Sequence, residues 1–137
     1  MNAADSVSAE WLSYLGRHVV ALSIEVAGER IAVVGGRTGS AEAVRVESAR
    51  TDMTDLLDTL GRGRFLEVPA IQDGEPRRMR LERQATGIEL AVLRLRGVDL
   101  VARWWIASAD VPTLIAALRR AFTELDTREA LAGMEAS

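Results

Sequence analysis

Residues 88–105, IELAVLRLRGVDLVARWW, decide the fold predicted from the sequence. The dipeptide Gly97-Val98 suits a type II′ turn, because glycine adopts the positive φ that this turn needs at its first central position. The turn pairs Arg96 with Asp99 and predicts a β-hairpin over about residues 88–107. In that register one face of the hairpin carries Leu93, Leu95, Leu100, Ala102 and Trp104.

The opposite face of this hairpin is predicted to be apolar in its lower half and cationic near the turn, where Arg94, Arg96 and Arg103 lie. An antiparallel sheet with one face in water would be polar there throughout. We therefore expect a cover, supplied by the N-terminal helix, by the helix at 52–60, by a second copy of the chain or by a ligand pocket. The residues of the predicted dimer interface are Ile88, Leu90, Val92 and Trp105.

Alternation of apolar residues predicts five further strands, at about 22–26, 31–34, 44–47, 65–68 and 78–82. Gly28-Glu29 is a second II′ turn signal, which pairs Val26 with Ile31 and Ile24 with Val33. Between the third and fourth strands the period changes to that of a helix, with Met53, Leu56, Leu57 and Leu60 on one stripe.

Two helices are predicted near the chain ends. Ser8 caps a short helix that ends before Gly16, and a long amphipathic helix starts at Asp110. The fold class is therefore α+β, an antiparallel sheet of about seven strands with three strands, a helix, four strands and a helix in order. We expect a disordered N-terminus over 1–7, a single domain over 8–125, and a helical or frayed tail over 126–137.

Composition argues against most kinds of active site. The 137 residues are 48% hydrophobic and 27% charged, which is ordinary for a globular domain. The chain has no cysteine, which excludes a disulfide scaffold, a thiolate metal site and a cysteine nucleophile, and it has one histidine, His18. No acid–base pair or nucleophile stands out, so we predict a non-enzyme without cofactor or metal.

The usage of basic residues suggests an origin for the chain, and its first residues suggest a compartment. All 17 basic residues are Arg and the net charge is −3. Such usage resembles the codon bias of a GC-rich bacterial genome, for example an actinobacterial one, although selection for bidentate donors would also give it. The start, MNAADSVSAE, has neither the cationic nor the apolar region of a signal peptide, and no apolar run approaches 18 residues. We predict a cytoplasmic protein with no membrane contact.

Five arginines form the sharpest candidate binding site. Their positions would align them across neighbouring strands, with Trp105 two residues beyond the last of them. Arginine beside an aromatic side chain on a sheet can hold single-stranded nucleic acid by phosphate contacts and base stacking. A single aromatic and the nearby Glu82, Glu89 and Asp99 favour a solvated face or a dock for an acidic protein instead. The candidate residues are Arg78, Arg80, Arg94, Arg96, Arg103 and Trp105.

The order strands, helix, strands, helix over roughly residues 18–125 resembles the whirly and PC4-like folds, which bind single-stranded DNA. The resemblance implies homo-oligomers with a curved DNA-binding sheet face, and it would place binding on Arg78, Arg80, Arg94, Arg103 and Trp105. Our first hypothesis is a non-catalytic, homodimeric regulatory protein that acts through protein contacts. The alternatives are a single-stranded nucleic-acid-binding regulator, and an immunity or inhibitor protein that docks a basic toxin.

Overall fold

The structure of the chain, a computed structural model, describes residues 6–13, 16–36 and 43–136. In this part of the chain two helices, α1 (Arg50–Arg62) and α2 (Val111–Ala136), follow the fourth and the eighth strand. A single 3-10 turn, Ser108–Asp110, leads into α2. The strands are β1 (Ser6–Ser13), β2 (Gly16–Ala27), β3 (Arg30–Gly36), β4 (Ala43–Ala49), β5 (Phe65–Gln72), β6 (Glu75–Gln84), β7 (Gly87–Arg94) and β8 (Leu100–Ala107).

The eight strands form a closed antiparallel barrel in which each strand pairs with its neighbours in chain order. The barrel closes where β1 meets β8, through the pairs Glu10–Trp105 and Trp11–Trp104. The predicted open α+β sheet of about seven strands is therefore wrong. Closure leaves the sheet without free edges, and it depends on a pairing between residues that lie more than ninety positions apart, which no local pattern reports.

The short N-terminal helix predicted over 8–15 is also wrong, because residues 6–13 form β1. The eight residues of β1 pair along their whole length with β2, from Ser6–Ser23 to Ser13–Gly16. The predicted disordered N-terminus falls mostly outside the described residues, and the part that is described, Ser6 and Val7, begins the strand. At the other end of the chain, α2 continues through the predicted tail to Ala136.

Two local predictions are confirmed. The β2–β3 hairpin has the expected register, with Val26 opposite Ile31 and Ile24 opposite Val33. The helix predicted around 52–60 is α1, and Met53, Leu56 and Leu60 are its buried side chains. In both segments the apolar period matches the geometry of the element, so the pattern alone determines the face that is buried.

The register of the β7–β8 hairpin differs from the predicted one. A bulge lies between Val92 and Leu93, and the connection is longer than two residues, with Leu93 opposite Leu100. On β7 the residues Ile88, Leu90 and Val92 therefore share a face with Trp104 and not with Trp105. Because side chains alternate along a strand, a shift of one residue moves a whole apolar set to the other face.

The core consists of the inward side chains of the barrel together with the buried faces of both helices, which form one apolar cluster. Trp104 is fully buried and reaches from β8 to β3, where its Nε1 donates to the Gly36 carbonyl at 3.3 Å. Trp11 meets its ring edge-on, with centroids 5.8 Å apart. In the described part of the chain, no helix is long and apolar enough to cross a membrane.

Candidate functional site

Three of the five predicted arginines share one outer face of the barrel. Arg80 on β6 and Arg103 on β8 lie on either side of Ala91 in one cross-strand row. Arg78 lies in the next row, opposite Leu93. The small Ala91 is 1% exposed in spite of facing outward, because the long side chains on both sides can cover it.

Arg103 is held by a carboxylate. Its Nε donates to Glu89 Oε1 at 2.7 Å and its Nη2 to Glu89 Oε2 at 3.1 Å, which is a bidentate contact. The hydrogen bond to Glu89 raises the pKa of Arg103 above its ordinary value. The Glu89 side chain is only 7% exposed, so this pair neutralises a buried acid, while the Arg103 side chain itself stays 44% exposed.

Trp105 is covered from within its own chain. Arg17 on β2 lies over the indole, with its guanidinium carbon 5.7 Å from the ring centroid, and the side chain as a whole is 8% exposed. Below the ring lies Gly87, where an added Cβ would come within 2.7 Å of the indole. The ring face that base stacking would use is therefore occupied, and no second copy is needed to cover it.

The four residues of the predicted dimer interface do not share a surface. Ile88, Leu90 and Val92 belong to the barrel core and are at most 2% exposed. Trp105 lies on the outward face of the barrel, where it pairs with Glu89 across the two strands. The apolar half of the hairpin face that the sequence predicted is therefore part of the inner face of the barrel. The other core side chains cover it, so it needs no partner.

Arg78 fixes the position of the β7–β8 connection. Its Nε donates to the Arg94 carbonyl at 3.0 Å and its Nη2 donates to the Gly97 carbonyl. Its Nη1 bonds to Glu67 Oε1 at 3.0 Å. One guanidinium thus joins β5 and β6 to a loop that has few ladder hydrogen bonds of its own, and it supports the loop as a structural group.

Residues 94–100, which we call the hairpin tip, carry three of the exposed large apolar side chains of the described chain. Leu95, Val98 and Leu100 are 52%, 86% and 47% exposed. Arg94 and Arg96 are exposed as well. Among the described residues neither of these arginines has a carboxylate within 4.0 Å, and Asp99 is the only acidic residue within the tip itself.

The base of the tip adds a further cation. Arg77 lies directly opposite Arg94, and like charges in such a pair destabilise a sheet. The side chain of Arg77 donates to Gln72 Oε1 at 3.0 Å and to the Pro76 carbonyl at 3.2 Å, which are neutral acceptors. The turn that precedes it in the chain carries Asp73 and Glu75, so β6 and its turn beside the tip have charges of both signs.

A separate, concave surface lies between the two helices, and we call it the helix groove. It has a volume of about 440 Å³. Sequence reasoning missed it because a groove between helices depends on their packing, although the partly exposed Leu57 and Phe122 on the helical stripes were a signal. The residues that line it are Arg50, Thr54, Leu57, Arg119, Phe122 and Thr123.

Three comparisons with known proteins were negative. No family model matches the chain, and neither a curated protein nor a solved structure matches it. None of these comparisons bears on the resemblance to the whirly and PC4-like folds. Within the described residues, no group of three or more His, Asp or Glu side chains is placed to hold a metal ion. Functional inference therefore depends on the geometry of the surface.

Proposed function

We propose that this chain is a non-catalytic interaction protein whose hairpin tip docks on an acidic surface of a partner protein. The observation that carries the proposal is the combination of three exposed large apolar side chains with two arginines that have no carboxylate partner. Isolated exposed apolar residues are normal on protein surfaces, whereas a contiguous group of them beside polar residues is typical of binding sites.

The apolar part of the tip can supply useful binding energy. Complete burial of an exposed Val or Leu side chain is worth about 1.5–3 kcal/mol. Leu95 and Leu100 are already about half-covered, and Val98 is almost fully exposed. Together the three side chains would contribute roughly 3–5 kcal/mol on burial, which makes the tip an anchor that needs further contacts around it to give a stable complex.

The arginines define the chemistry of the partner. A guanidinium without a carboxylate binds the carboxylates of another protein in a bidentate geometry. Arg94 and Arg96 lie on either side of Leu95, so an apolar pocket with acidic residues at its rim would match the tip. Asp99 repels such a rim and restricts the orientations in which the partner can bind.

The tether of Arg78 makes the tip suitable for docking. A loop that must be ordered on binding costs free energy at that moment, and a loop that is already ordered does not. The hydrogen bonds from Arg78 to the Arg94 and Gly97 carbonyls hold the loop before any partner is present. Exposed apolar side chains are therefore presented by a fixed backbone.

The other hypotheses from the sequence find less support in the geometry. The argument for a homodimer began from an uncovered Trp105, and Arg17 covers that ring. The argument for single-stranded nucleic acid required a free aromatic beside the arginines, and residues 94–100 contain no aromatic residue. Two copies meeting tip to tip would also bring Arg94 and Arg96 against their equivalents.

The test places a photo-crosslinking residue at Val98 in the full chain, inside the organism that encodes it. The matched control is the same residue at Val19, which is 79% exposed on β2 and outside the tip. We expect a protein that is captured from position 98 and not from position 19. The captured protein is then purified and titrated against wild type and against the double variant Arg94→Glu, Arg96→Glu.

The proposal predicts that the double variant folds normally and binds the purified partner at least about tenfold more weakly, since two charge-assisted contacts become repulsive. Replacement of the contacting acidic residue of the partner by Lys should restore its binding to the double variant. Unchanged affinity of the double variant, or no protein specific to position 98, would overturn the proposal. So would tip-dependent binding to a single-stranded oligonucleotide that weakens steeply with salt, or to vesicles of phosphatidylcholine and phosphatidylglycerol.

A further inference from the structure

The helix groove is lined by residues that follow the helical period on both of its sides. Arg50, Thr54 and Leu57 are four and three residues apart on α1, and Arg119, Phe122 and Thr123 lie within about one turn on α2. At a rise of about 1.5 Å per residue, the α1 side of the groove is roughly 10 Å long. Two adjacent helices with an open channel between them offer the seat that a third helix occupies in helical bundles.

The walls of the helix groove are less polar than their composition suggests. Thr54 Oγ1 donates to the Arg50 carbonyl at 3.0 Å, and Thr123 Oγ1 donates to the Arg119 carbonyl at 3.1 Å. Both hydroxyls are therefore satisfied by their own helices. Leu57 and Phe122 are partly exposed side chains that pack on the core cluster, and they form an apolar floor.

The two arginines of the groove differ in their ionic partners. Arg50 pairs with Asp126 and Glu129 of α2 and lies 6.0 Å from the Phe122 ring centroid. Arg119 is exposed, and no carboxylate of the described residues lies within 4.0 Å of its side chain. The groove thus combines an apolar floor with one uncompensated positive charge at its rim.

We propose that the helix groove binds an amphipathic helix of a partner protein, with apolar residues on the floor and an acidic residue opposite Arg119. Helices that dock in grooves present apolar anchors at spacings of three and four residues, and the floor of Leu57 and Phe122 is apolar surface that such anchors can cover. The charged side chains of the lining are arginines, which favours an acidic helix over a basic one. This surface is separate from the hairpin tip, so the chain would hold two partners or two parts of one partner.

The shape of the groove favours a helix over a small ligand. Small-molecule sites are concave pockets in which a few polar groups converge on the ligand. Here both hydroxyls and the Arg50 cation are already bonded to groups of the chain, and one cation remains for recognition. A helix uses such an open, mainly apolar channel along its length and needs a single charge to set its register.

The probe for this proposal is a displayed library of 18-residue helices. Each member carries leucines at spacings of three and four, with the flanking positions randomised among Glu, Lys and Ala. The library is selected on the full chain, and enriched sequences are made as labelled peptides and titrated by fluorescence anisotropy. The blocking variant is Thr123→Arg, and the matched control is Thr113→Arg, which places the same residue at an exposed position of α2 outside the groove.

We expect enriched peptides that favour Glu over Lys and that bind Thr123→Arg at least about tenfold more weakly than wild type. Thr113→Arg should bind them as wild type does. In Arg119→Glu the preference should reverse, so that Lys-bearing peptides bind better. The proposal is overturned if no peptide is enriched, if Thr123→Arg binds as well as Thr113→Arg, or if the acidic preference survives in Arg119→Glu. Self-association by light scattering that Thr123→Arg abolishes would assign the groove to a second copy and would also overturn it.

Discussion

Replacement of Gly35 by alanine tests whether Trp104 packs against β3 inside the barrel. An added Cβ at Gly35 would lie 2.3 Å from Cζ2 of Trp104 and 2.7 Å from Cδ2 of Leu22. Non-bonded carbon atoms make favourable contact at about 3.5–4.0 Å, so the indole has to move by more than 1 Å. Both neighbours are fully buried, so neither can move aside into solvent without leaving the core.

The cost can be estimated from the contacts that must change. Overpacking of a core by one methyl group typically costs about 1–3 kcal/mol. Displacement of the indole also breaks the hydrogen bond from Trp104 Nε1 to the Gly36 carbonyl, which is worth about 1 kcal/mol. We expect a loss of about 3 kcal/mol. With an unfolding entropy of about 2.1 cal/mol/K per residue, this loss lowers the melting temperature by roughly 10 °C.

The assay is thermal and urea unfolding, followed by circular dichroism, with Gly61→Ala as the matched control. Gly61 lies in α1, and an added Cβ there meets no atom within 4 Å. Alanine at this position should stabilise the protein by about 0.5–1 kcal/mol, because it favours the helix and restricts the unfolded chain. Equal shifts for the two variants, or a Gly35→Ala protein as stable as wild type, would refute the packing of Trp104 against β3.

Three further predictions concern single side chains. Arg78→Met removes the tether and should speed amide exchange in the hairpin tip while leaving the rest of the barrel protected; Arg80→Met, whose side chain has no ion pair among the described residues, should not. Arg103→Met leaves the buried Glu89 unpaired and should cost about 2–3 kcal/mol in urea titrations. The pKa of Arg103 is raised in the folded protein, so its stabilising contribution is lost only as the pH rises through that raised pKa. The loss of stability in Arg103→Met should therefore stay constant from about pH 7 to 10. Leu118→Asp buries a charge at a fully buried position and should abolish cooperative unfolding seen by circular dichroism.

The elements that could be predicted are those whose partners are close in the sequence. The β2–β3 hairpin needs only its own alternation and the Gly28-Glu29 turn, and the observed pairs match the predicted ones. The dipeptide Asp73-Gly74 between β5 and β6 is another local turn sequence, and its φ angles of 51° and 78° suit a tight hairpin turn. Local chemistry determines these segments because no distant residue is needed to select their register.

Segment 6–13 shows how pairing in the sheet decides between two local patterns. Trp11 and Leu12 suggested a helical stripe, whereas Val7, Ala9 and Trp11 alternate as a strand does. The structure adopts the strand, with Val7 and Ala9 in the core and Trp11 opposite Trp104 of β8. A short segment with both patterns is assigned by the strands on its two sides, which here are β2, its hairpin partner along the whole length, and β8, which it meets at two pairs.

The bulge in the β7–β8 hairpin explains why the residues of the predicted dimer interface lie on opposite faces, and the longer connection explains why Arg94 and Arg96 lie apart from the other three arginines of the predicted strip. Sequence reasoning extended a tight turn from Gly97-Val98, and in the structure the connection runs from Leu95 to Asp99. The shift moved Ile88 to the core face and left Trp105 on the outer one. Bulges insert one residue into one strand and have no dependable sequence signal. Which side chains face the core before and after the bulge is therefore known only from the structure.

All basic residues of this chain are Arg, so the number of arginines on a surface does not show which of them bind a partner. The groups that each arginine contacts do distinguish structural arginines from candidate binding ones. Arg83 donates to the carbonyls of Leu60 and Gly63 at the end of α1, where the helix leaves acceptors unpaired. Arg78 does the same for the hairpin tip. In contrast, Arg94 adjoins exposed apolar side chains and Arg119 adjoins partly buried ones, and neither guanidinium has a carboxylate partner among the described residues. A cation beside apolar surface gains most from a carboxylate that arrives with its own apolar neighbours, because the contact excludes water and strengthens the pair. That physical difference, and not the density of positive charge, is why we propose docking on an acidic protein over binding of nucleic acid.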